Sequence, residues 1–94
     1  MLRLGSVVFI DSVHSVLWDR LQEMGWRCVD KTDLSVAELK EEIQFYQGIV
    51  IRSKFKLTKE ILETCKDLKF IARAGSGLEN IDLIAAIDLG VKVI

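Results

Sequence analysis

Short apolar runs and amphipathic segments alternate along the whole chain. Five runs rich in β-branched residues are predicted to be strands, at residues 6–10, 27–30, 48–51, 69–72 and 91–94. Between them lie four segments in which apolar residues recur at helical spacing. Strands that alternate with helices in this way are typical of βαβ units, so the pattern predicts an α/β protein with a parallel sheet.

Residues at the ends of the amphipathic segments support four helices. Gly25 and Gly90 stand where left-handed C-caps of the first and fourth helices are expected. Ser35 and Glu38 have the spacing of a capping box at the start of the second helix, and Thr58 is placed to begin the third. The fourth is expected to follow residues 79–80. The apolar stripes are Val13, Val16, Leu17, Leu21 and Met24 in the first helix, Val36, Leu39 and Ile43 in the second, and Ile61, Leu62 and Cys65 in the third.

Crossovers between parallel strands are right-handed, which leaves few ways to wind five strands and four helices. The commonest is the flavodoxin-like three-layer fold with strand order 2-1-3-4-5, in which the first helix covers one face and the other three cover the opposite face. The sequence ends at Ile94, so the fifth helix of such a fold is expected to be missing. Strands 3 to 5 are then expected to expose an apolar patch, and a homodimer that buries this patch is expected.

Composition narrows the class of protein further. The 94 residues form one expected domain, residues 1–94, and a net charge of −1 gives no reason to expect nucleic acid or an anionic membrane as a partner. No stretch approaches the ~20 apolar residues of a spanning helix, and none has the pattern of a leader. Cys28 and Cys65 are isolated thiols, which predicts no metal site and a reduced, cytoplasmic protein. The aromatic residues Trp18, Trp26, Phe45 and Tyr46 are expected to pack in the core.

Polar residues follow the third and fourth predicted strands. Arg52 and Ser53 end one strand, and Arg73 ends the next. Because neighbouring parallel strands lie ~4.8 Å apart, the two arginines can converge on one anion. The backbone N–H groups of Ser76 and Gly77, at the start of a helix, can hold a second anionic group such as a carboxylate. The alternative is that the glycines only form a tight turn, with both arginines solvated or paired with Glu79 and Asp82.

Other ligands fit this edge less well. A dinucleotide-binding motif needs a third glycine where Asn80 stands, and a receiver domain needs an aspartate where Arg52 stands. A flavin site needs a glycine- and hydroxyl-rich loop after the first strand, but residues 11–14 lead with the carboxylate of Asp11. His14 could act as a general base, although a lone histidine in a first helical turn is more often a surface residue.

Residues 48–53, 68–82 and 90–94, with Ala85 and Ala86, resemble the amino-terminal part of the D-2-hydroxyacid dehydrogenases. An arginine-serine strand end, an R-A-G-[ST]-G turn and an N-[IV]-D helix start occur in the same order in both, and the resemblance is weaker before Asp30. It implies a substrate-binding domain of flavodoxin-like fold. It further implies that the loop of Gly75, Ser76 and Gly77 offers backbone amides to the substrate carboxylate, and that Arg52, Ser53 and Arg73 face the phosphate in phosphoglycerate-type members.

The resemblance also bears on the cofactor. The family places its nicotinamide-binding glycine motif and its catalytic Arg, Glu and His in a second domain, after the strand that ends here at Ile94. NAD is therefore implied for the parent family, with no cofactor-binding or catalytic residue in this chain, which alone is not expected to transfer hydride. The expected function is the substrate-binding half of an NAD-dependent dehydrogenase of a small, doubly anionic 2-hydroxyacid. The alternative is a non-catalytic flavodoxin-like module that self-associates or binds a small organic acid.

Overall fold

The computed structural model describes residues 4–74 and 80–94. Within them the strands are β1 (Gly5–Phe9), β2 (Trp26–Asp30), β3 (Gly48–Ile51), β4 (Phe70–Arg73) and β5 (Lys92–Val93). The helices are α1 (Ser15–Glu23), α2 (Val36–Glu42), α3 (Lys59–Thr64) and α4 (Leu83–Asp88), and a 3₁₀ turn (Ile43–Phe45) follows α2. Each predicted strand is confirmed, with ends within one residue of those expected from the sequence.

All five strands form one sheet in the order β2-β1-β3-β4-β5, with every neighbouring pair parallel. This confirms the predicted flavodoxin-like order. The chain reverses direction between β1 and β3, and ligands of open α/β sheets bind beyond the carboxyl ends of the strands at such a point. The register places Ile51 at the end of β3 beside Arg73 at the end of β4. The polar residues that end these two strands therefore lie at the same edge.

Two apolar clusters sandwich the sheet, because successive side chains of a strand point to opposite faces. On one face α1 is the only helix of the described residues that packs over the sheet, with Leu21 buried against Val7, Phe9 and Val50. On the other face the cluster joins α2, α3 and α4 to the sheet, through Leu39, Leu62 and Ala86 among others. The predicted distribution of one helix against three is confirmed.

The helix starts are set by side-chain caps. Ser35 and Glu38 form the predicted capping box, in which Ser35 Oγ accepts from the Glu38 N–H at 3.3 Å and Glu38 Oε1 accepts from the Ser35 N–H at 3.1 Å. Thr58 caps α3 as predicted. The helix α4 begins at Leu83, later than residues 79–80, because the Asp82 carboxylate accepts from the Ala85 N–H and caps the helix there.

Several residues placed in the core or in an apolar stripe are exposed instead. The expectation that Phe45 packs in the core is wrong, since its side chain is 70% exposed. Phe45 lies in the 3₁₀ turn two residues after the buried Ile43, a rotation of about 240°, so its side chain points away from the core. Val16 and Val36, in the first turns of their helices, are also exposed, as is Met24 after α1.

The apolar patch expected on strands 3 to 5 is narrower than predicted. Val50 is completely buried in the cluster beneath α1, and Phe70 and Ala72 are half-buried. What stays open beside α1 is an apolar groove of about 350 Å³, here called the β4–β5 groove, lined by Leu21, Met24, Trp26, Lys69, Phe70, Lys92 and Ile94. Among the described residues, every helix is too short or too polar to cross a bilayer.

Candidate functional site

Three strand ends meet at the carboxyl edge of the sheet beside the point where the chain reverses direction. Asp11 follows β1, Arg52 follows β3, and Arg73 is the last residue of β4. The order β1-β3-β4 makes these strands consecutive neighbours. One carboxylate and two guanidinium groups therefore belong to a single edge.

Asp11 fixes the turn that carries Arg52. Its side chain is 7% exposed, and Oδ2 accepts hydrogen bonds from the backbone N–H of Arg52 and, at 3.2 Å, from that of Lys54. A buried carboxylate that accepts two backbone N–H groups holds the local backbone in one conformation. The sequence marked Asp11 only as the end of a strand, so this role was missed.

The Arg52 guanidinium is exposed, and no hydrogen bond or ion pair engages it within residues 4–74 and 80–94. The neighbouring Lys54 differs, because its ammonium donates to the Thr32 carbonyl at 2.7 Å and lies 5.0 Å from the centre of the Phe55 ring. Ser53, between them, is exposed. Among the residues that the structure describes, Arg52 is thus the cation of this turn whose side chain is left open to a ligand.

Arg73 is half-buried and oriented by its own neighbourhood. Nε donates to Asn80 Oδ1 at 2.8 Å, and Nη1 donates to the Ala74 carbonyl at 3.3 Å. The Asp82 carboxylate, which the sequence left open as a partner for an arginine, is instead used to cap α4. Across the described part of the chain, no carboxylate forms an ion pair with Arg73.

Asn80 links the two arginine-bearing strand ends. Its Nδ2 donates to the backbone carbonyls of Arg52 and Phe55, both at 3.0 Å, while its Oδ1 accepts from Arg73. One amide therefore holds the main chain beyond β3 and the side chain at the end of β4. The sequence had placed Asn80 only in the turn before a helix, so its contact with Arg73 was missed.

The backbone reinforces this link. The Leu57 N–H donates to the Asn80 carbonyl at 2.8 Å, and the Asp82 N–H donates to the Leu57 carbonyl at 3.0 Å. Leu57 and Ile81 thereby form a single parallel bridge between the β3–α3 and β4–α4 connections.

Gly75, Ser76 and Gly77, the predicted carboxylate-binding loop, lie outside the described residues, as does Glu79. Of the predicted site residues, Arg52 and Arg73 are brought together by the side-chain amide of Asn80, which contacts the main chain of Arg52 and the side chain of Arg73. Convergence of the two guanidinium groups on one anion stays a prediction.

The turn between β1 and α1 does not fit the pyrophosphate of a dinucleotide. A cavity of about 240 Å³ there is lined by Asp11, His14 and Asp30, among other residues. Hydrogen bonds from the backbone and side chain of Thr32 hold the pKa of Asp30 below its usual value, so the cavity wall is anionic. His14 Nδ1 accepts from the Val16 N–H at 3.1 Å, which makes the ring an exposed helix cap.

Neither cysteine belongs to a reactive site. Both thiols are free, and burial raises the pKa of Cys28 and of Cys65, which keeps them protonated. Among the described residues, no group of three or more His, Cys, Asp or Glu side chains could hold a metal ion.

A sequence profile of the D-isomer specific 2-hydroxyacid dehydrogenases, catalytic domain, matches residues 7–94. The chain is 37% identical over 90 residues to the D-3-phosphoglycerate dehydrogenase of Sus scrofa, covering 96% of this chain and 17% of that protein. It is 40% identical over 88 residues to the D-3-phosphoglycerate dehydrogenase of Archaeoglobus fulgidus, covering 94% of this chain and 17% of that protein. The chain thus spans about a sixth of the length of these curated relatives.

Solved structures agree with the strand order. The PH0520 protein from Pyrococcus horikoshii superposes with a TM-score of 0.84 at 27% identity, over 96% of this chain and 27% of that chain. The 3-phosphoglycerate dehydrogenase of Entamoeba histolytica, solved with NAD⁺ bound, superposes with a TM-score of 0.82 at 25% identity, over 96% of this chain and 32% of that chain.

Proposed function

The chain belongs to the D-isomer-specific 2-hydroxyacid dehydrogenase family, and from this membership we propose that it is the substrate-binding half of an NAD-dependent D-2-hydroxyacid dehydrogenase. The proposed substrate is D-3-phosphoglycerate, and the proposed role is the oxidation that begins serine biosynthesis. The similarity to D-3-phosphoglycerate dehydrogenases over nearly the whole chain supports this choice. The two free thiols support a cytoplasmic location.

The observation that carries the proposal is the pair of arginines at one edge of the sheet. Arg73 is held by Asn80 without an ion pair among the described residues, and Arg52 presents an exposed guanidinium on a turn that Asp11 fixes. D-3-Phosphoglycerate carries a phosphate and a carboxylate, and guanidinium groups bind both kinds of oxyanion through paired hydrogen bonds. We assign the phosphate to Arg52, Ser53 and Arg73, and the carboxylate to the backbone amides of residues 75–77.

Oxidation of the substrate needs a hydride acceptor and a group that removes the hydroxyl proton. NAD supplies the first when it is bound, but the described turn that could receive its pyrophosphate is lined by carboxylates. We therefore assign cofactor binding and proton transfer to regions of the longer relatives that this chain does not span. The role of the chain itself is to bind and orient the acid.

Titration of the folded, ¹⁵N-labelled chain with D-3-phosphoglycerate tests the assignment. Amide resonances of Arg52, Ser53 and Arg73, and of residues 75–77, are expected to shift before all others. D-Glycerate, which lacks the phosphate, is expected to shift residues 75–77 but leave Arg52 nearly unmoved. Shifts centred on the anionic cavity beside His14 would contradict the site.

A matched pair of variants tests the contribution of Arg52. Arg52→Gln is expected to weaken binding of D-3-phosphoglycerate about tenfold, because a charge-assisted hydrogen bond is lost. Arg20→Gln removes an equally exposed cation from α1 and is expected to leave the affinity unchanged. Equal effects of the two substitutions would show that only the overall charge matters.

The β4–β5 groove favours a second role, self-association, which is one of the two roles of the non-catalytic alternative. Its apolar floor is rimmed by Lys69 and Lys92, and α1, which contributes Leu21 to its lining, also carries the exposed carboxylate of Glu23. A two-fold arrangement can therefore bury the apolar floors together while it pairs lysines with the acids of the partner. We propose a symmetric homodimer through this groove.

A further inference from the structure

We propose that Asn80 is the positioning residue of the anion site: it sets the direction of the Arg73 guanidinium while it leaves the positive charge uncompensated. The inference rests on the proposed function, since it concerns the anion that Arg73 is proposed to bind. Asn80 itself need not touch the ligand. It acts through Arg73, from whose Nε–H it accepts a hydrogen bond.

The hydrogen bonds of Asn80 use both ends of its amide. The carbonyl oxygen accepts from Arg73 Nε, and the amino group donates to the backbone carbonyls of Arg52 and Phe55. An asparagine has two N–H donors, so its amino group is fully engaged. A rotated amide would set its N–H₂ group against Arg73 Nε–H, donor against donor, and its oxygen against two carbonyls. The contacts therefore admit one orientation of the amide.

This orientation decides which edge of Arg73 can meet a ligand. A guanidinium has five N–H donors, and the contacts with Asn80 and Ala74 engage Nε and one N–H of Nη1. Within residues 4–74 and 80–94, the donors that stay available are those of Nη2 and the second N–H of Nη1. An incoming phosphate or carboxylate thus meets the outer, paired edge of the guanidinium, in the bidentate arrangement that binds oxyanions well.

The Asn80 side chain carries no charge, and this matters for an anionic ligand. A carboxylate at position 80 could also accept from Nε, but it would form an ion pair with Arg73 and repel an anionic ligand. The neutral amide of Asn80 orients the Arg73 guanidinium in the same way, but it does not repel an anionic ligand. Asparagine therefore suits this position in a way that aspartate does not.

The first experiment follows the Arg73 Nε–H resonance in the ligand-free chain. In the wild-type chain this proton is expected to give a distinct signal that exchanges slowly with water, because it donates to Asn80. In Asn80→Ala the signal is expected to move to the position of solvent-exposed arginines and to exchange fast. An unchanged signal in the variant would show that Asn80 does not hold Arg73.

The second experiment is a double-mutant cycle on binding of D-3-phosphoglycerate, with inorganic phosphate as a smaller probe. Asn80→Ala and Arg73→Lys are each expected to weaken binding about tenfold, since lysine cannot donate to Asn80 and also present a paired edge. If Asn80 acts through Arg73, the double variant is expected to bind no more weakly than Arg73→Lys alone. Independent, additive losses would overturn the proposal.

A matched control separates positioning from stability. Thr58→Ala removes the cap of α3 without any change of charge, and it is expected to destabilise the fold while the affinity stays that of the wild type. If Asn80→Ala fails to fold, the wild-type chain still decides: the Arg73 Nε–H signal is expected to stay slow to exchange when phosphate saturates the site, because the ligand meets the Nη edge, and loss of that signal would overturn the proposal. Asn80→Asp keeps an acceptor for Nε but adds a negative charge, and the factor by which it binds more weakly than the wild-type chain is expected to shrink at high salt. Wild-type affinity in Asn80→Asp would overturn the proposal.

The outcomes also separate this proposal from the proposed function. A wild-type chain that binds neither phosphate nor D-3-phosphoglycerate would overturn the function, and the ligand role of Asn80 with it. A wild-type chain that binds both, with unchanged affinity in Asn80→Ala, would overturn the role of Asn80 alone.

Discussion

The contribution of the buried Asp11 side chain to the free energy of unfolding can be measured directly. Its carboxylate accepts from the backbone N–H groups of Arg52 and Lys54, so Asp11→Ala leaves two partly buried backbone donors without this partner. The expected loss in the free energy of unfolding is about 2–4 kcal/mol. Asp11→Asn is expected to cost less, because the amide oxygen can still accept. Urea unfolding followed by circular dichroism measures both.

Asp19 supplies the control for this series. It is exposed on α1, and its side chain makes no hydrogen bond or ion pair within the described residues, so Asp19→Ala is expected to change stability by less than about 0.5 kcal/mol. A cost for Asp11→Ala as small as that of the control would mean that the turn at Arg52 does not depend on the carboxylate.

Strand-end residues could be predicted from the sequence, but the residues that orient them could not. Arg52, Ser53 and Arg73 directly follow or end apolar runs, and the edge to which they belong follows from the strand order. Asp11 bonds to residues 41 and 43 positions away, and Asn80 bonds to residues 25 and 28 positions away. No periodicity records such contacts, because they depend on how two separate turns meet in space.

At the scale of the helices, α2 offers a test by pH. Hydrogen bonds from the backbone and hydroxyl of Ser35 hold the pKa of Glu38 below its usual value of 4.5. The folded state thus favours the carboxylate, so the stabilisation is fully present above pH 4.5 and is lost as the pH falls through the lowered pKa. Glu38→Gln keeps a capping acceptor without this titration. The free energy of unfolding of this variant is expected to fall below that of the wild-type chain. The difference is expected to be largest at neutral pH and to vanish in acid.

Glu41→Gln is the companion variant for the pH series. Glu41 is exposed on the same helix, and no hydrogen bond engages its carboxylate among the described residues. Its stability difference from the wild-type chain is expected to show little change with pH. A matching pH dependence in the two variants would assign the effect to general charge instead of the cap.

Residues 35–45 show which structural features a local sequence pattern predicts and which it does not. The Ser35–Glu38 box was predicted because its partners are three residues apart, and it formed. Phe45 was expected in the core because it is aromatic, but it lies in the 3₁₀ turn after α2 and its side chain is 70% exposed. Residue type alone does not show which side chains of a turn face the core.

For the whole molecule, the proposed homodimer makes a prediction about a single exposed side chain. Met24 lines the β4–β5 groove and is 63% exposed, so Met24→Glu places a charge on the proposed interface without disturbing the core. The wild-type chain is expected to be dimeric by sedimentation equilibrium at micromolar concentration, and this variant is expected to be monomeric. Val36→Glu, at a side chain 76% exposed on the opposite face, is expected to stay dimeric. A monomeric, folded wild-type chain would contradict the interface.

The single bridge between Leu57 and Ile81 limits which sequence changes this edge of the sheet can accept. The two connections that leave β3 and β4 are tied at one rung, and the Asn80 amide lies beside it. A residue inserted at positions 52–57 or 80–82 would displace this bridge, and with it the amide that orients Arg73. A protein built on this frame can therefore acquire a new ligand through side-chain replacement at Arg52, Ser53 or Arg73 more readily than through insertions or deletions beside the bridge.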